Sequence, residues 1–250
     1  MTFCETLKIG CGIFGALHRK VGNPMARSTC ILLLALITIL PLSHAPAEET
    51  VDQILEGIRE RYGTLPGLTV EYEREIVTRT MSMLGVQTKG DAAAGLIHFR
   101  PPNHLKVAQQ TPTTEYVISD GDTLWWYIPH KALAYRYPSR KLGKGLQVLS
   151  DVFQGLQKAG DSFRIDLSAD EAGREYLLKL FPDPPWQEVE HIALRVDPED
   201  YRIQMVEIYD YVGGITRFIL GKLTVRRDLE EETFRFSPPQ GVRVLDDSAP

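Results

Sequence analysis

Tyr116-Val117-Ile118-Ser119-Asp120-Gly121-Asp122-Thr123-Leu124-Trp125-Trp126-Tyr127 sets two β-prone runs on either side of an Asp-Gly turn. Asp-Gly supplies the positive-φ residues that a tight hairpin turn needs, so 116–119 and 123–128 are predicted as antiparallel partners. The same grammar continues outward. Upstream, runs at 94–99 and 104–109 are broken by Arg100-Pro101-Pro102-Asn103. Earlier still, Leu68, Val70, Tyr72 and Ile76 alternate with Thr69, Glu71, Glu73 and Glu75, the period of a half-buried strand. Downstream, strands are predicted at 132–137, 163–167, 176–181, 191–196, 203–209, 216–223 and 233–236, punctuated by Asp197-Pro198 and Gly213-Gly214.

Two stretches carry the helical period instead. Val51, Ile54, Leu55, Ile58 and Tyr62 form one apolar stripe, with Thr50 as N-cap and Gly63 near the stop. Leu146, Leu149, Val152, Phe153 and Leu156 form the other. The order is therefore helix, antiparallel meander, helix, antiparallel meander. With about ten or eleven strands and two or so helices, no helix is available to cross over between successive strands, which excludes a βαβ architecture. The reading is a mainly β (α+β) single domain whose sheet curls on itself, with helices over its mouth or one face.

The front of the chain has a different character. Arg27-Ser28-Thr29 precedes an apolar run at 30–42, followed by Ser43-His44-Ala45-Pro46-Ala47. A basic start, a short apolar middle and small residues at the end predict a cleavable secretory signal peptide, cut after Ala45 or Ala47. The run is shorter than the ~20 residues that span a bilayer. Residues 1–24 read as an extension, with Met25 as an alternative start. The domain organisation is then a 1–47 leader and a 48–250 mature domain, exported to the periplasm.

Cleavage changes the chemistry that is available. Cys4, Cys11 and Cys30 all leave with the leader, so the mature chain has no disulfide and no thiolate. It keeps 24 basic and 32 acidic residues, net −8, which favours solubility and disfavours nucleic acid or anionic lipid surfaces as partners. Gly10-Cys11-Gly12-Ile13-Phe14-Gly15 matches a dinucleotide fingerprint in letters only, lacking the preceding strand and the βαβ unit. His98, His104, His130 and His191 fall in no metal-ligand spacing, and no G-x-S-x-G elbow occurs. Acidic pairs such as Asp170-Glu171 and Asp246-Asp247 sit in predicted turns or the tail, without the fixed geometry that acid–base work needs. The expectation is a non-enzyme with no cofactor. Aromatic residues, by contrast, crowd the strands, and a curled sheet of this size can enclose an apolar ligand.

Three segments, in order, resemble one family. Gly95-Leu96-Ile97-His98-Phe99-Arg100-Pro101-Pro102-Asn103 is similar to its G-x-L-x-x-x-R-P-N segment. Val117 to Tyr127 is similar to its V-S-D-G-x-x-L-W-x-Y. Phe234-Arg235-Phe236-Ser237-Pro238-Pro239, with Gly241-Val242, is similar to its F-x-F-x-P-P-x-G-V. On these the mature chain resembles LolA, the periplasmic carrier that takes lipoproteins from the inner to the outer membrane. The resemblance implies an unclosed antiparallel barrel with helices as a lid over an apolar cavity. It implies acyl chains of lipoproteins as cargo, and as partners an inner-membrane lipoprotein-releasing ABC transporter and an outer-membrane acceptor. The chain is expected to act as a monomer.

The expected cavity and lid residues are Ile54, Leu55 and Ile58 of the first helix, Leu149, Val152 and Phe153 of the second, and the strand residues Leu105, Trp125 and Tyr127. By resemblance Arg100 reaches lid-helix carbonyls and controls opening. The extra proline leaves the next cavity-facing position between His104 and Leu105, with the apolar Leu105 favoured. Two other readings stand beside the carrier: the same fold moving another lipid or serving as a periplasmic sensing module, and, more distantly, a secreted hydrolase with an unrecognised site.

Overall fold

The computed structural model describes residues 49–83, 91–138, 144–169 and 174–246; the expected leader lies outside them. Helix α1 (Val51–Tyr62) opens on a reciprocal capping box. The Thr50 hydroxyl accepts from the Gln53 amide at 3.4 Å, and the Gln53 side chain accepts from the Thr50 amide at 2.9 Å, so two otherwise orphaned donors are satisfied. Strand β1 (Leu68–Val77) and helix α2 (Arg79–Met83) follow. The first meander is β2 (Asp91–Arg100), β3 (His104–Thr111), β4 (Glu115–Ser119), β5 (Thr123–Ile128) and β6 (Leu133–Pro138). Helices α3 (Lys144–Phe153) and α4 (Ala159–Ser162) lead into β7 (Phe163–Ala169), β8 (Tyr176–Pro182), β9 (His191–Val196), β10 (Ile203–Tyr209) and β11 (Ile215–Val225), and β12 (Arg243–Asp246) closes the order.

All twelve strands join one sheet in the order β12-β6-β5-β4-β3-β2-β1-β11-β10-β9-β8-β7, with no pairing between β12 and β7. Among the described residues it is an unclosed, curled antiparallel sheet, with α1 and α3 against its concave side. The hairpin quoted at the outset forms in the expected register, Val117 opposite Trp126 and Ile118 opposite Trp125. The Asp120 carboxylate shapes the turn by accepting from the Asp122 and Thr123 amides at 3.0 and 2.8 Å.

Some details depart from the expectation. The sheet has twelve strands, not ten or eleven. Residues 233–236 are not a strand: Glu231–Phe234 is a 3₁₀ turn that buries Phe234 against the sheet's outer surface. The last strand is instead β12, which pairs parallel with β6, the single parallel pair among the described residues. Helices α2 and α4 were not foreseen either; each is too short to develop a helical period.

Period-two alternation decides what each strand shows to the inside. On β2, Ala93, Ile97 and Phe99 are buried with Gly95 between them. On β1 the inward residues are Leu68, Val70 and Tyr72. Gly95 sits at a bulge in the β2–β3 ladder, where a Cβ would stand 2.0 Å from the Ala108 carbonyl oxygen. Only glycine lets the two backbones approach this closely.

Residues 226–242 cross the outer surface of the first meander. The Arg226 amide donates to the Gly67 carbonyl at 2.8 Å and the Arg243 amide to Ala132 at 2.9 Å, fixing the two ends of this strap. Beneath it, Leu229 and Phe234 are buried, and Phe236 packs on Trp125 and Tyr127 with ring centroids at 5.3 and 5.0 Å. The strap thus covers part of the outer face of the first meander.

Candidate functional site

Followed along its strands, the sheet's interior divides into a packed half and an open half. At one end Leu68, Ile97, Phe99 and Leu105 lie against α1 and α3, and the Phe99 and Phe153 rings meet at 5.8 Å. This half is full: Ile54, Leu55, Ile58, Leu149, Val152 and Phe153 are all 0–2% exposed. Toward the other end of the same strands the side chains part around a cavity of about 700 Å³. Its walls are Tyr72, Val107, Val117, Trp126, Ile208 and Phe218. Its mouth carries Arg74, Asp91, Glu115, Glu188 and Asp210, and Leu146 reaches it from the first turns of α3.

The mouth's polar groups are partly committed to each other. Arg74 faces Asp91 at 3.8 Å. Glu115 accepts from the Trp126 indole at 3.0 Å, orienting that ring along the wall. Asp210 accepts from the Val212 and Gly214 amides at 2.9 and 2.7 Å, building the β10–β11 turn. Burial pushes the Tyr72 phenol's pKa up, which favours its neutral form in the wall. Among the described residues no His, Cys, Asp and Glu come together in a group that could hold a metal ion, and no helix is long and apolar enough to cross a membrane. Chemically, the arrangement can shelter hydrocarbon.

None of the ten sequence-predicted residues lines this cavity. The six helix residues and Leu105 belong to the packed half; His104, the other option after the prolines, faces outward with its ring edge on Phe234 at 5.4 Å. Trp125 and Tyr127 point to the outer surface under the strap, and Trp126 between them is the wall residue. The reason is parity: Val117 faces the cavity, and its cross-strand partner is Trp126.

Arg100 also lies away from the cavity. Phe99 takes the inward position at the end of β2, so Arg100 projects to the opposite side. There its Nη1 donates to the Leu229 carbonyl at 3.3 Å and its guanidinium lies 5.6 Å from the Phe234 ring centroid. Its hydrogen-bond acceptor is on the strap, not on α1 or α3. Arg100→Leu is therefore expected to cost about 1–2 kcal/mol and to speed proteolytic cutting within residues 226–242. Hydrogen exchange in α1 and α3 should stay unchanged; faster exchange there would return Arg100 to the lid.

What holds α1 is a set of contacts the sequence did not single out. The Tyr62 hydroxyl accepts from the Ile203 amide at 3.1 Å within the core. Arg61 donates to the Asp200 carbonyl at 2.9 Å and pairs with its carboxylate at 3.1 Å. Gly57 lies flush on the Tyr201 ring, which leaves no room for a Cβ. Tyr201 itself has φ 54 and donates to Glu49 at 3.1 Å. The β9–β10 turn is therefore the seat of the helix. The available signal was Gly57, an unexplained glycine between the inward Ile54 and Ile58.

The sequence profile of the family described as outer membrane lipoprotein carrier protein LolA matches residues 83–237, more than half of the chain. The chain belongs to the LolA family. The match takes in Arg100, the Asp120-Gly121 hairpin, α3 and Phe234 to Ser237, and it starts after α1 and β1. This LolA-family chain is similar to the outer-membrane lipoprotein carrier protein of Halorhodospira halophila, with 24% identity over 224 residues, 89% of this chain and 96% of the relative. It is also similar to that of Bordetella bronchiseptica, with 27% identity over 216 residues, 85% and 94% of the two chains. Among solved structures, a LolA superfamily protein from Nitrosomonas europaea aligns with a TM-score of 0.44 and 16% identity, covering 76% of this chain and 99% of that one.

Proposed function

We propose that the mature chain, freed by cleavage after Ala45 or Ala47, acts in the periplasm as a carrier that shields lipoprotein acyl chains and moves them from the inner to the outer membrane. An inner-membrane lipoprotein-releasing ABC transporter would load it and an outer-membrane acceptor would unload it. The work is binding and release, not catalysis. The observation that carries this reading is an apolar interior roofed by two helices, half of it packed and half of it already hollow.

The magnitudes are consistent with exchange. A sixteen-carbon chain costs on the order of 12 kcal/mol to expose to water, at about 0.8 kcal/mol per methylene. Lifting α1 and α3 would expose Ile54, Leu55, Ile58 and Tyr62 on one and Val148, Leu149, Val152 and Phe153 on the other. At about 1.5–3 kcal/mol per side chain that is on the order of 12–24 kcal/mol, an upper bound. Unaided opening is therefore rare. Acyl chains that occupy the vacated surface offset most of the cost, and their departure lets the helices settle back. Loading and release are then both reachable.

The test uses protein recovered from its own periplasm. Native mass spectrometry should show the chain starting at Pro46 or Glu48, with lipidated protein bound in part of the population. In a reconstituted assay the purified complex should pass its lipoprotein to an outer-membrane acceptor. Absence of any transfer, or turnover of ester substrates by the same sample, would sink the carrier reading.

A further inference from the structure

One half of the interior is hollow although its walls are apolar, and burial alone would draw those walls together. The outer face of the same strands shows what opposes this. Thr216 and Phe218 line the cavity from β11, so Arg217 between them projects outward. Arg74 and Ile76 line it from β1 with Glu75 between them, and Ile208 lines it from β10 beside Glu207. Arg217 stands opposite Glu207 on one side and Glu75 on the other, and it joins the three strands. Its Nε donates to Glu207 Oε1 at 2.7 Å and its Nη1 to Glu75 Oε2 at 2.9 Å. Glu207 is only 4% exposed although it faces outward, and its second oxygen accepts from the Tyr209 hydroxyl at 3.2 Å. Tyr209 stacks on His191 at 4.2 Å and His191 on Phe181 at 5.4 Å, and the Arg164 guanidinium lies 4.2 Å from the Phe181 ring centroid. These contacts run unbroken over β1, β11, β10, β9, β8 and β7.

We propose that Arg217, held between Glu207 and Glu75, is a brace that keeps the hollow half open: a positioning residue for the cargo space that touches no cargo itself. The proposal rests on the carrier reading and adds to it. Geometry gives the direction of the effect. When a sheet curls further, side-chain tips on its inner face converge and those on its outer face spread. Inward movement of β10, β11 and β1 would therefore stretch the bonds of Arg217. These bonds are charge-assisted and directional, and one planar guanidinium fixes both of them. Stretching them would also part the buried Glu207 carboxylate from its cation, which is costly. The facing wall is backed differently: there Phe236 of the strap packs on Trp125 and Tyr127, the neighbours of the wall residue Trp126.

The test variant is E207Q/R217M, which removes both charges of the buried pair and leaves neither unpaired. In a W125F/W186F background Trp126 is the one remaining tryptophan and reports on the hollow directly. Without cargo, acrylamide quenching of Trp126 should fall to about half in the test variant, as the space closes toward ordinary packing density. Affinity for a fluorescent sixteen-carbon acyl probe should drop about tenfold, the equivalent of roughly two methylenes left in water. An eight-carbon probe, which still fits, should lose less than about twofold. The urea midpoint should stay at or above its original value, because closing the hollow buries apolar surface. Arg217→Lys should fall between the two proteins, since an ammonium keeps the charge but not the fork. Glu75→Gln, at the more exposed end of the brace, should show the same signs at smaller size. Unchanged or greater quenching of Trp126 would overturn the proposal. So would a lower midpoint with both probes weakened alike, the result of an ion pair that only stabilises the fold. The two readings fail separately. Lipoprotein transfer by the original protein, with Trp126 quenched equally in both proteins, removes the brace and keeps the carrier. Shielded Trp126 in the variant, with no transfer by the original protein, removes the carrier and keeps the brace.

Discussion

Phe153→Asp leaves the domain largely unfolded at 37 °C, well beyond a mere weakening of cargo binding. Phe153 is 1% exposed, its ring lies 5.8 Å from that of Phe99, and it belongs to the main core. Truncating such a residue to alanine costs about 3–5 kcal/mol through lost transfer energy and the cavity left behind. Aspartate adds a carboxylate in the packed half of the interior, where no cation lines the core among the described residues, so it is either buried unpaired or forces α3 away. Against a total stability of about 5–15 kcal/mol, that removes most of the margin. Urea denaturation of a graded series checks it. Phe153→Leu should lose less than ~1.5 kcal/mol, Phe153→Ala about 3–5, and Phe153→Asp should show no cooperative transition. A Phe153→Asp protein with a near-native midpoint would mean that α3 does not rest on the sheet in solution and that the lid stands open without cargo.

That outcome turns on a distinction the sequence does not contain. Helical spacing identified which residues of α1 and α3 face inward, and alternation identified the strands, because both patterns record burial directly. Neither records whether a buried surface is filled or hollow. Ile54 and Ile208 look equivalent as apolar residues of an amphipathic element; one is sealed in the core and the other borders the cavity. Parity could have placed two residues correctly. An inward Phe99 puts Arg100 outside, and an inward Val117 puts Trp126, not its neighbours, in the wall. Three consecutive aromatics at 125–127 hide that parity, since each is bulky enough to pass for a core residue. The strap was illegible for another reason. Phe234 and Phe236 alternate as in a strand, but their rings pack on the sheet's outer surface instead of their backbone joining its ladder. The four exposed residues of β12 carry no alternation at all. Gly95 was visible as a family-like glycine, but its cause, a backbone approach at a bulge, appears only when β3 lies beside it.

Gly57→Ala is expected to loosen α1 even though alanine is the better helix former. In an exposed helix the change would stabilise by about 0.8–1.0 kcal/mol. Here the added methyl would sit 2.4 to 2.6 Å from three carbons at the root of the Tyr201 ring. The ring cannot swing aside cheaply, because Tyr201 is held at φ 54 in the β9–β10 turn and its hydroxyl is bonded to Glu49. The helix must therefore move, and overpacking of this kind costs about 1–3 kcal/mol. Sterics about cancel propensity at the lower bound and dominate at the upper. Moving α1 also stretches the Tyr62–Ile203 and Arg61–Asp200 contacts, which lie one turn along on the same side. Amide exchange in α1 should rise by up to about 30-fold, which the net cost of up to about 2 kcal/mol converts to, while exchange in β1 through β5 stays at its original rate. Gly57→Leu should go further and admit apolar dyes to the helix-covered half of the interior. A Gly57→Ala protein whose α1 exchanges more slowly than the original would show that propensity wins and that the ring contact relaxes at no cost. The lid's seat would then have to be sought in Tyr62 and Arg61 alone.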